Sequence, residues 1–162
     1  VKKKYGESEE EKAKQAAILK EKIGKYQLLL GKLKEKKSRK EYDDEALKLT
    51  ESLLSINGEC YTMWNYRRLT LLSKFEEIPE KLKDADLKTI KSNQIVQEKK
   101  LLDRELNFTQ QALMRNVKSY WCWNQREWAT SRLNELSSCP WKQELALCDK
   151  LLHYDARNFH CW

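Results

Sequence analysis

At 162 residues, with 35% charged and 40% apolar positions but only four Gly and two Pro, the chain is the size of one domain. Few turn-formers and many Lys, Glu, Leu and Ala favour long helices with short joints, against all-β and Rossmann-like folds. The net charge of +7 is local: residues 1–40 hold 14 basic and 6 acidic residues, whereas residues 41–162 hold 18 and 19. A nucleic-acid partner would want a basic stripe through the body, so none is expected. No run of about 18 apolar residues could span a bilayer. Val1-Lys2-Lys3-Lys4-Tyr5-Gly6 has no apolar segment behind it, so no signal peptide is expected. Five cysteines with no C-x-x-C pair, and only His153 and His160, fit reduced thiols, a cytoplasmic location and no metal on this chain.

In chain order, Ser8-Glu9-Glu10-Glu11 predicts a capping box. Behind it Ala16, Leu19, Ile23, Tyr26, Leu30 and Leu33 form one apolar stripe, predicting a long basic N-terminal helix within 1–40 that lies on the body. Its Lys-rich far face is read as solvated. A second helix is expected from Asp43 to Ile56, ended by Asn57-Gly58 through tolerance of positive φ. A third is expected from Tyr61 to Glu77, broken by Ile78-Pro79. The polar segment 78–96 is read as an insertion, with 79–96 a loop carrying a short helical piece. Helices over Gln97–Arg115 and Tyr120–Leu136 follow. Ser137-Ser138-Cys139-Pro140 then punctuates the chain, with Pro140 near the first position of a sixth helix running to His153. A seventh helix is expected to begin near Asn158.

The chain repeats itself. When Trp64, Trp123 and Trp162 are aligned, an aromatic stands three residues earlier each time: Tyr61, Tyr120 and Phe159. Asn57, Asn116 and Asp155 stand seven earlier, and Leu47, Leu106 and Leu145 seventeen earlier. Leu53/Leu54, Ala112/Leu113 and Leu151/Leu152 fall at ten and eleven. Each copy is thus a helix, a tight turn, and a second helix opening aromatic-x-x-Trp, with both rings expected on one buried face. One hairpin cannot cover such a face, so copies over 43–77, 97–136 and 140–162 are expected to stack. The result is an all-α, right-handed superhelical α-α solenoid, TPR-like, preceded by the long N-terminal helix. Arg67 and Arg68 follow the first Trp and Arg126 the second, which favours a structural role inside the stack over catalysis. Trp162 is expected to be deeply buried, and the chain is read as the front part of a longer repeat protein.

Tyr61-Thr62-Met63-Trp64-Asn65-Tyr66-Arg67-Arg68, Lys118-Ser119-Tyr120-Trp121-Cys122-Trp123-Asn124-Gln125-Arg126 and Arg157-Asn158-Phe159-His160-Cys161-Trp162 resemble the repeats of protein prenyltransferase α subunits. The resemblance runs from about residue 9 and is firm from 43. The Lys/Glu-rich leader and the third motif are most similar to the Rab geranylgeranyltransferase type. The resemblance implies a heterodimer whose β subunit carries the catalytic zinc and the isoprenoid pocket. It implies transfer of geranylgeranyl from its diphosphate, bound at the subunit interface, to C-terminal cysteines of Rab GTPases presented with Rab escort protein. It further implies that Lys118 touches the diphosphate, with Tyr120 beside it, and that Phe159 and His160 face the active-site mouth. By itself a Lys at a helix start is an ordinary solvated amine.

The sequence departs from the family pattern where Gly58 and Val117 replace a frequent Pro, and where Glu127 interrupts the double Arg of the second copy. The α subunit shared by farnesyltransferase and type I geranylgeranyltransferase has a Pro-rich leader that this chain lacks. A TPR-like protein-binding scaffold, and an RNA-binding helical repeat using aromatics and Lys, are the other readings.

Overall fold

A computed structural model of the chain describes residues 8–80 and 86–162. Every regular element in it is helical: α1 (Glu9–Ser38), α2 (Asp44–Ile56), α3 (Tyr61–Glu80), α4 (Leu87–Arg115), α5 (Tyr120–Glu135), α6 (Trp141–Tyr154) and a 3-10 turn over Phe159–Cys161. The helices pack in sequence as hairpins α2–α3 and α4–α5, followed by α6 and the 3-10 turn, which gives the all-α hairpin stack its form. The charge excess of residues 1–7 lies outside the described residues.

Ser8 and Glu11 form the reciprocal capping box that opens α1. Only the C-terminal half of α1 lies on the body: Leu29 and Leu33 are buried, with Tyr26 and Leu30 packed beside them. Leu19 and Ile23 of the expected stripe are exposed, because the helix outruns the hairpin it rests on. Lys36 then ties the joint to α2, reaching Glu41 at 3.1 Å, Asp43 at 2.7 Å and Glu45 at 2.9 Å.

Two boundaries differ from the sequence reading. Pro79 does not break α3 at Ile78. It falls in the last turn, where its missing N–H removes one bond while the helix runs on to Glu80. The expected loop over 79–96 is helix from Leu87, because Asp86 caps α4 by accepting from the backbone N–H groups of Lys88 and Thr89, each at 2.9 Å. The extra residues lengthen a hairpin: α4 has 29 residues against 13 in α2 and 14 in α6.

The core has two apolar layers. One, near the turns, gathers Leu53, Leu54, Met63, Trp64, Phe108, Leu113, Cys122 and Leu151. The other, toward the opposite ends, holds Leu71, Phe75, Leu102, Leu106, Ala129 and Leu133. Fully burying a side chain of this size is worth about 1.5–3 kcal/mol. A buried polar belt of Thr50, Arg67, Glu105, Thr109, Gln125 and Arg126 belongs to neither layer.

The belt repeats with the sequence. The Arg67 Nη1 donates to the Leu47 carbonyl and Thr50 Oγ1 at 2.7 and 3.1 Å, and its guanidinium pairs with Glu105 of the next hairpin at 2.8 Å. The Arg126 Nη1 donates to the Leu106 carbonyl and Thr109 Oγ1 at 2.8 and 3.0 Å, and pairs with Glu144 of α6 at 2.7 Å. Arg68 donates to Gln125 Oε1 at 3.0 Å and lies over the Trp128 ring, 5.1 Å from its centre. Each inner arginine therefore satisfies its own hairpin and binds the next one through a charge-assisted bond.

Candidate functional site

The turns within the hairpins form one rim of the stack, and they are near copies. Asn57, Asn116 and Asp155 each end a helix in extended geometry, with φ of −137°, −143° and −149°. Each side-chain oxygen accepts from the backbone N–H two residues on, at Glu59, Lys118 and Arg157. These are Asx turns, so the left-handed ending expected at Asn57-Gly58 does not occur. Each indole N–H then donates to the carbonyl six residues earlier: Trp64 to Gly58 at 2.8 Å, Trp123 to Val117 at 2.9 Å and Trp162 to Ala156 at 3.3 Å.

The two rings of each motif do not share a buried face. Trp64 is 2% exposed and Trp123 partly buried, covered respectively by Phe108 of the next hairpin at 5.5 Å and by His160 at 5.5 Å. Trp162 is 86% exposed, since no described element lies over it. Tyr61, Tyr120 and Phe159 open α3, α5 and the 3-10 turn at the rim and stand in the open. Leu145, expected inward, is exposed as well.

These rim rings form a continuous ledge. Tyr61 lies 5.3 Å from Trp121, Trp121 6.0 Å from Tyr120, and Tyr120 5.5 Å from His160. His160 stacks on Trp123 at an interplanar angle of 14° and touches Phe159, 4.1 Å between centres. Burial pushes the His160 imidazole below its ordinary 6.5, so it is uncharged at pH 7. It offers a hydrogen-bonding group without a cation. Trp121 is a member that repeat reasoning passed over, because positions 62 and 160 at the same place in the other copies are Thr and His.

Lys118 stands two residues before Tyr120 of the ledge. Its side chain is 61% exposed, and Nζ lies 2.8 Å from Asp155 Oδ2 in the next turn. Lys118 and the Arg157 N–H hold the Asp155 carboxyl below the usual carboxylate range. At the equivalent place in the preceding pair of turns, Asn116 Nδ2 donates to Glu59 Oε1 at 3.2 Å. A rung thus joins neighbouring turns at the same register, carrying an anion in the first pair and a cation in the second.

Two of the buried or half-buried thiols are muted. Burial pushes the Cys122 thiol up to about 12 and the Cys161 thiol up to about 11, so neither is a thiolate at neutral pH. Among the described residues no group of His, Cys, Asp and Glu is placed to hold a metal ion, and no helix is long and apolar enough to cross a membrane. What the rim can do chemically is receive an anion on Lys118 and flat or apolar groups on the rings of the ledge.

The family profile described as "Protein prenyltransferase alpha subunit repeat" matches residues 43–73, 102–133 and 141–162, together more than half of the chain. The chain is 38% identical over 156 residues to the geranylgeranyl transferase type-2 subunit alpha of Dictyostelium discoideum, covering 94% of this chain and 44% of that protein. It is 37% identical over 154 residues to the protein of that name from Candida albicans, covering 94% and 38%. It is 33% identical over 156 residues to the one from Homo sapiens, covering 96% and 24%. The chain therefore spans less than half the length of each of these relatives.

Proposed function

The chain belongs to the protein prenyltransferase α subunit repeat family, and on that premise we propose that it is part of the α subunit of a geranylgeranyl transferase acting on Rab-type GTPases. In this reading it wraps a β subunit, and Rab escort protein presents the substrate. The observation that carries the proposal is the rim: Lys118 stands two residues before Tyr120, whose ring packs against His160, and its Nζ reaches Asp155 of the next turn.

The reaction joins a cysteine sulfur to C1 of the prenyl chain and breaks the C1–O bond, whose electron pair leaves with diphosphate. Zinc, which this reading gives to the β subunit, lowers the pKa of the substrate thiol when bound. Lys118 meets the charge that grows on the departing oxygens, where a fixed cation is worth more in the transition state than in the ground state. Tyr120, two residues on, supplies a phenolic O–H. The uncharged His160 and Phe159 form the floor toward the prenyl and peptide side.

The test is reconstitution. The full-length α chain, co-expressed with a cognate β subunit, should co-purify with it and prenylate a Rab GTPase in the presence of escort protein. The α chain alone should transfer nothing. Failure to pair with any prenyltransferase β subunit would refute the reading.

A further inference from the structure

We propose that Asp155 is a positioning residue, holding the Lys118 ammonium at the rim so that it meets the leaving diphosphate. The inference rests on the reading of Lys118 given above. Asp155 sits on the turn that follows the third copy's first helix, and its two oxygens have separate tasks. Oδ1 accepts from the Arg157 N–H at 3.2 Å, making the Asx turn, and Oδ2 takes Lys118 Nζ at 2.8 Å. Its side chain is only 19% exposed, so the anchor is fixed while the 61% exposed lysine is otherwise free to roam.

A pair this open contributes little to folding. Its value lies in placement: a Lys side chain has four rotatable bonds and loses its orientation when its partner is removed. The rung is an architectural element, because Glu59 and Asn116 make its counterpart one hairpin earlier. Of the two rungs only the second carries positive charge on its bridging side chain, and that lysine stands two residues before Tyr120, whose ring lies 5.5 Å from His160.

The other copies also supply a clean variant. Asn57 and Asn116 make the same Asx turn with an amide oxygen, so Asp155→Asn keeps the turn and removes only the charge that grips Lys118. In the assembled heterodimer, Asp155→Asn should lower kcat about tenfold, since a misplaced transition-state contact costs rate rather than ground-state affinity. The Kd for geranylgeranyl diphosphate should stay level or tighten, because Asp155 no longer competes for the ammonium. Asp155→Ser, which keeps a short acceptor for the turn, should behave likewise.

The loss should vanish in a Lys118→Ala background, where Asp155 has nothing to position. If Lys118→Ala slows transfer but Asp155→Asn does not, the positioning role is wrong while the reading of Lys118 survives. If Asp155→Asn still lowers kcat in the Lys118→Ala background, Asp155 acts by another route and the proposal fails. If Lys118→Ala itself leaves transfer unchanged, the underlying reading fails, and the inference with it.

Discussion

The inner belt and the outer rim both join one hairpin to the next, yet they treat their residues differently. In the belt, Arg67 and Arg126 make the same three kinds of contact: a carbonyl and a threonine hydroxyl at the same spacing, and a glutamate of the following helix. On the rim, the backbone repeats closely while the side chain at the bridging position changes from Glu59 to Lys118 to Arg157. Where the copies agree, the residues maintain architecture. Where the backbone agrees and the side chain does not, the position is free to carry chemistry.

That contrast can be broken at either end. The largest effect is expected in the belt: Arg67→Met leaves Glu105, 1% exposed, without its cation and should destabilise the chain by about 3–5 kcal/mol in urea unfolding. A loss below about 1 kcal/mol, the range of a surface pair, would show that the belt is not structural. Next comes a gap between the first two turns. Asn158 reaches back to the Val117 carbonyl at 3.1 Å, but its counterpart Ser119 is too short to do the same, and its buried hydroxyl has no partner among the described residues. It lines a cavity of about 300 Å³ with Asn57, Gly58 and Asn116. Ser119→Asn should therefore stabilise the chain by about 1 kcal/mol, one net hydrogen bond. No gain, or a loss, would mean that the two turn interfaces are not interchangeable. Smallest is Glu59→Gln on the rim, expected to change stability by no more than about 0.5 kcal/mol in the same assay.

The frame was legible in the sequence because tryptophan, the turn residue and the leucines recur at fixed offsets, and those offsets became indole, Asx and core contacts. A glutamate eighteen residues before both Trp123 and Trp162, and a threonine fourteen before both Trp64 and Trp123, also announced the belt. Those polar positions went unused because burial of a charge is visible only once its partner is located. Segment 79–96 was misread on its polarity and Pro79, although Asp86-x-x-Thr89 carries a cap signal. The ledge was harder to foresee: whether an aromatic at the start of a helix is covered depends on where the neighbouring hairpin ends. Asp155 was recognisable as a helix stop, but nothing local to it indicated a lysine 37 positions away.

The account comes down to one comparison of rates. In single-turnover transfer by the assembled heterodimer, Lys118→Ala should slow the chemical step by about 10²–10³-fold, the usual cost of removing a preorganised charge-stabilising group. Glu59→Gln, at the equivalent place one hairpin earlier, should leave that step within about twofold, as befits a rim position that serves only the frame. Equal rates for the two variants, whether both fast or both slow, would contradict the claim that a repeated turn has been specialised at Lys118.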